Sequence, residues 1–100
     1  AAAALSQADK LARLGVRRAV EAARNAGAAI VERRARLDLA GETAKNARVS
    51  WENDVASREQ ARLAEIARLA AALDLEAAGA ALEDAIGEIE YLTGVPIGAP

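Results

Sequence analysis

Large apolar residues are distributed differently along the two halves of this chain. Between Lys10 and Trp51, Leu11, Leu14, Val20, Ile30, Val31, Leu37 and Val49 scatter around a helical circumference, with alanine filling the gaps. Past Ser57 they sort into two faces. Leu63, Ile66, Leu69 and Leu73 share one of them. Leu75, Leu82 and Ile89 recur at sevens with Ile86 and Leu92 beside them, on a face about 150–180° away at 100° per residue. A helix with one partner keeps one stripe, so two faces predict helical neighbours on both sides of the second element. No period-two alternation appears, and no strand is expected.

The signals at the ends of these stretches predict an all-α, antiparallel two-helix coiled-coil hairpin, one domain over residues 1–100 and part of a larger helical barrel or bundle. Ser6-Gln7-Ala8-Asp9 has the form of a capping box and starts the first arm at about residue 7. That arm runs to about 52, weakened by Gly15, Gly27 and Gly41 but free of proline; fraying at Gly15 would shorten it. Asn53-Asp54 favours a turn because both side chains bond the local backbone and tolerate left-handed conformations. Ser57-Arg58-Glu59-Gln60 is a second capping box, which places the turn at 53–57 and the second arm at about 58–92. Thr93-Gly94 with Pro96 then stops the helix and leaves a tail, 93–100. Residues 16–52 and 58–92 span about 55 and 53 Å, so the arms are expected to match.

Charge sharpens the hairpin reading. Residues 1–50 carry ten Lys/Arg against five Asp/Glu, a balance of +5; residues 51–100 carry three against ten, a balance of −7. Folded back at the turn, a basic arm lies along an acidic one, and attraction between exposed charges of the two arms is expected to help pair them. Composition limits how well such a hairpin stands alone. Apolar residues make up 53%, but 29 of them are Ala and only Trp51 and Tyr91 are aromatic. Methyl groups bury little area at about 25 cal/mol per Å², so self-association or a larger helical assembly is expected. Trp51 is expected to anchor the turn end of the hairpin.

Chemistry has little to work with. His and Cys are absent, which removes the usual bases, thiolates and soft metal ligands, and Lys10 and Lys45 are the only amines. Glu83, Asp84, Glu88 and Glu90 read as a solvated acidic face, since a di-metal bundle needs a Glu-x-x-His pattern. The expectation is no enzyme, no cofactor and no metal. Eight Lys/Arg over residues 10–36 are interleaved with Glu21 and Glu32 and lack aromatics, which argues against nucleic acid. No apolar run approaches the roughly 20 residues of a transmembrane segment, and no signal peptide is visible.

Two stretches carry a resemblance. Trp51-Glu52-Asn53-Asp54-Val55-Ala56-Ser57, followed by a long helix closing on Leu82-Glu83-Asp84-Ala85-Ile86-Gly87-Glu88-Ile89-Glu90-Tyr91-Leu92-Thr93-Gly94, is similar to the hairpins of the TolC-like outer-membrane efflux and secretion ducts. Those read aromatic-x-x-Gly-apolar-x-[Ser/Ala/Thr] at the tip and Leu-[Leu/Thr]-Gly at the close. The likeness covers residues 17–97. Asp54 stands where that family has Gly, and Gln60-Ala61 where Asp-Val is common. The resemblance implies a trimeric duct in the periplasm and outer membrane, of which this chain is one excised hairpin or a truncated relative. It also implies a tip, Asn53, Asp54, Val55, Ala56 and Ser57, that contacts a periplasmic adaptor protein. The tip interrupts the helix, so its backbone polar groups are expected to be free for that contact. Alternatives are the hairpin of a periplasmic adaptor (membrane fusion) protein, which also places Ser after its tip; a small secreted ESAT-like hairpin, which has Gly where Asn53 stands; and a coiled-coil dimerisation module.

Overall fold

The computed structural model describes residues 2–97. They form two helices, α1 (Ala2–Glu52) and α2 (Arg58–Thr93), in an all-α hairpin with no strand among the described residues. Each departure from the sequence reading has a local cause. α1 begins well before Ser6, which is helical and caps nothing, because the alanines ahead of it have the highest helix propensity of any residue. The helix also passes Gly15, Gly27 and Gly41 without a break. The arms therefore do not match. α1 has 51 residues and α2 has 36, and positions 4–14 of α1 are all exposed.

The turn forms as its residues require. Ser57 Oγ accepts the Gln60 N–H at 3.1 Å and Gln60 Oε1 accepts the Ser57 N–H at 3.0 Å, the reciprocal pair of a capping box. Asp54 takes the left-handed conformation, φ 58°, and is the sole non-glycine to do so among the described residues. At the far end Gly94 (φ 71°) donates to the Glu90 carbonyl at 2.8 Å, and α2 stops there. Ser57→Ala should lower stability by about 1 kcal/mol. Asp54→Gly should raise it by about 0.5–1 kcal/mol, because glycine removes the steric cost of left-handed backbone and returns only part of the gain as unfolded-state entropy. Urea unfolding followed by circular dichroism checks both.

Contacts gather into two compact units: Ala28–Ala78 at the turn end, and at the open end the residues up to Gly27 with those from Gly79 on. In the turn-end unit the covered positions of α1 include Ile30, Arg33, Leu37, Ala40, Ala44 and Ala47, flanked by Ala29, Gly41 and Ser50; those of α2 include Ala61, Ala64, Arg68, Ala71, Leu75 and Ala78, flanked by Ala72. In the open-end unit they include Val16, Ala19, Ala23 and Ala26, with Leu82, Ala85 and Ile89, flanked by half-buried Val20 and Ile86. The steps alternate three and four, the spacing of a coiled-coil seam. Alanine dominates it. Among the described residues the buried apolar side chains are Ala19, Ala26, Ala44, Ala78 and Ala85, and no larger side chain is fully buried. In the open-end unit the end of α2 also closes on Gly15, where an added Cβ would lie 3.6 Å from Leu92 Cδ1.

Attraction between the arms is present where Arg48 of α1 helps to hold the Glu65 carboxyl of α2 below its ordinary range, behind the Arg68 hydrogen bond, but the close ion pairs lie elsewhere. Arg13–Asp9, Arg36–Glu32, Arg48–Glu52 and Arg68–Glu65 each lie within one helix, three or four residues apart. Most seam positions are alanine and carry no charge, and Arg68, half-buried beside them, pairs with Glu65 of its own helix while the exposed charged chains snorkel outward.

Candidate functional site

The tip is a compact turn with its donors spent. The Asn53 N–H donates to the Val49 carbonyl at 3.1 Å and the Asp54 N–H to that of Trp51 at 3.0 Å. The N–H groups of Val55 and Ala56 share the Ser50 carbonyl at 2.8 and 3.2 Å, and Ser57 is held by Gln60. The expectation of free backbone groups is corrected for the N–H donors of the tip. Helix-terminal carbonyls need partners, and the turn folds back to supply them. What the tip offers outward is side chains: Asn53, Asp54 and Ser57 are exposed, Ala56 is half-buried, and Val55 is 81% exposed.

Beside the tip, within the turn-end unit, lies an open groove of about 620 Å³. Gly41 and Ala44 of α1 and Ala61 of α2 bring small residues to it; Lys45, Arg48 and Trp51 contribute from α1, and Arg58, Arg62, Glu65 and Arg68 from α2. None of the five tip residues lines it. The Arg58 guanidinium carbon stands 6.0 Å from the centre of the Trp51 ring, a cation–π distance that ties the last turn of α1 to the first of α2. Trp51 thus bridges the arms but stays 41% exposed. Arg68 Nε donates to Glu65 Oε1 at 2.9 Å; this hydrogen bond holds the Glu65 carboxyl below the usual carboxylate range. Five cations against one carboxylate make the groove strongly basic. Sequence reading missed it because Lys45 and Arg48 lie on one side of the turn and Arg58 and Arg62 on the other. Only hairpin register brings the two pairs together.

The second feature is the outer face of α2. Leu75, Leu82 and Ile89 lie in the seam, whereas Leu63, Ile66, Leu69 and Leu73 are 60%, 61%, 50% and 66% exposed. The two faces read from the sequence are thus one paired face and one uncovered face. Among the described residues no three Asp or Glu side chains gather as a metal would need, and no helix is long and apolar enough to cross a membrane. No family model, curated protein or solved structure matches the chain.

Proposed function

We propose that this chain is a structural assembly element without catalytic activity, a helical hairpin that packs side by side with further helices. The carrying observation is the uncovered apolar face Leu63, Ile66, Leu69 and Leu73, on the side of α2 away from its seam with α1. Isolated apolar side chains on a surface are ordinary, but four at helical spacing form a continuous stripe. Exposed area supports the same reading. The chain exposes 7537 Å², where a folded monomer of 10.3 kDa exposes about 5,400 Å².

The TolC-like resemblance gives this element a concrete setting, the trimeric helical tunnel of an outer-membrane efflux or secretion duct in the periplasm, with the tip against a periplasmic adaptor. The left-handed backbone at Asp54 supports it, since that is the conformation for which the family's Gly is suited. Val55, an apolar side chain of the tip and 81% exposed, is the contact to test. Ser57 is unsuitable because it caps α2. Val55→Arg should weaken adaptor binding at least tenfold with helicity unchanged; equal binding by variant and wild type removes the tip from the reading.

The assembly claim is tested by sedimentation at about 500 mM NaCl, where exposed charges are screened. Wild type should form oligomers there, and Ile66→Glu with Leu73→Glu should reduce them to monomers, because unpaired carboxylates would have to be buried in the contact. Oligomers of unchanged size in the double variant would contradict the assignment of this face. A species that stops at two copies would favour the dimerisation module over the duct.

A further inference from the structure

We infer that the basic groove beside the turn is a docking surface for a second copy of this chain, and that it takes the acidic outer face of α2 between Ala77 and Tyr91, so that hairpins associate head to tail. Complementary charge is the first ground. On the groove side stand Lys45, Arg48, Arg58 and Arg62, with Arg68 already paired to Glu65. Arg48 is 3.9 Å from Glu52, and neither Lys45 nor Arg62 has an ion-pair partner among the described residues. On the α2 side Glu83, Asp84 and Glu88 are exposed, and the sequence has no Lys or Arg after Arg68. Arg48 acts across the arms on Glu65, but the close ion pairs Arg13–Asp9, Arg36–Glu32, Arg48–Glu52 and Arg68–Glu65 lie within single helices, so much of the opposite charge of the two halves remains available between copies.

Shape is the second ground. Gly41, Ala44 and Ala61 give the groove small walls, and a Cβ added at Gly41 would meet nothing within 4 Å, so there is room for another helix to come close. The acidic face is built to come close. Its apolar positions are Ala77, Ala80, Ala81 and Gly87, all exposed, and a Cβ at Gly87 likewise meets nothing within 4 Å. Helices approach most closely where both surfaces carry small residues. Tyr91, 85% exposed at the end of this face, supplies an aromatic ring to the same contact. Groove and face are different patches of one chain, so the contact is heterologous: each copy keeps one patch of each kind open, and association grows with concentration into rings or filaments. It uses neither Leu63 nor Leu73 and is independent of the apolar stripe.

Charge reversal with rescue tests it. One variant carries Arg48→Glu and Arg62→Glu; the other carries Asp84→Arg and Glu88→Arg. All four positions are exposed, and circular dichroism should show unchanged helicity. The experiment is run in an Ile66→Gln, Leu73→Gln background, which removes the apolar contact without adding a carboxylate four residues from Arg62. At about 20 mM NaCl this background should self-associate in sedimentation, and at about 500 mM it should not. Each reversal alone should weaken association at least tenfold, and mixing the two should restore it, because each then presents the complement of the other. A background protein that stays monomeric at low salt overturns the inference, as does a mixture that fails to restore association. Poly-glutamate bound by the groove of a chain that does not self-associate would assign it to another acidic partner and equally overturn the second-copy docking.

Discussion

Leucine at Ala44 and Ala78 together should unfold the hairpin at denaturant concentrations that leave the wild type intact. Both alanines are at least nine-tenths buried, 6% and 7% exposed, in a seam where most neighbours are also alanine. Such a seam draws two helices close together, and three further carbons at a site have nowhere to go unless the backbones separate. Overpacking costs about 1–3 kcal/mol per site. Ala44 lies nine residues before the turn at 53–57 and Ala78 twenty-one after it, so the two costs should add to roughly 2–6 kcal/mol in total. Domains of ordinary size have only about 5–15 kcal/mol in all, and this core is thin. The urea midpoint should fall sharply, and Ala44→Leu alone should lower it by about half as much. In a coiled coil whose helices stand further apart, leucine at seam positions is stabilising. A midpoint that rises in either variant would therefore contradict close alanine packing.

The parts of the fold that could be read from the sequence are those whose causes are local. Asn53-Asp54 and the pair Ser57/Gln60 specify their turn within eight residues, and the backbone follows them, down to the left-handed Asp54 and the reciprocal cap. Gly94 stops α2 for the same kind of reason. The start of α1 was not legible, since Ser6 offers a cap that the alanine-rich stretch before it overrides. The seam of α1 was hidden too. Alanine occupies both covered and exposed positions of that helix, so its large residues do not mark the buried stripe: Ile30 and Leu37 lie in it, while Val31 and Leu39 are 72% and 69% exposed.

The role given to charge depended on side-chain length, which a net balance cannot convey. A basic arm and an acidic arm do lie in one hairpin, yet Arg36 bonds Glu32 and Arg68 bonds Glu65 within their own helices. The groove shows the converse. Gly41, Ala44 and Ala61 would pass unnoticed in any alanine-rich helix, and they become a site because register sets them among Lys45, Arg48, Arg58 and Arg62.

If packing against other helices stabilises this hairpin, the thermal midpoint of the unmodified chain depends on its concentration, and a dilution series reads that dependence. Assembly that binds only the folded form stabilises it by mass action, about 2.7 kcal/mol when the partner concentration is 100 times the dissociation constant. For a chain of this length each kcal/mol moves the midpoint by about 4–8 °C. Diluting the protein roughly a hundredfold through its association range should therefore lower the midpoint by about 10–20 °C, with helicity at the lowest concentration already reduced at 37 °C. A midpoint constant to within about 1 °C across the series, with full helicity at the lowest concentration, would show a self-sufficient monomer and contradict the account.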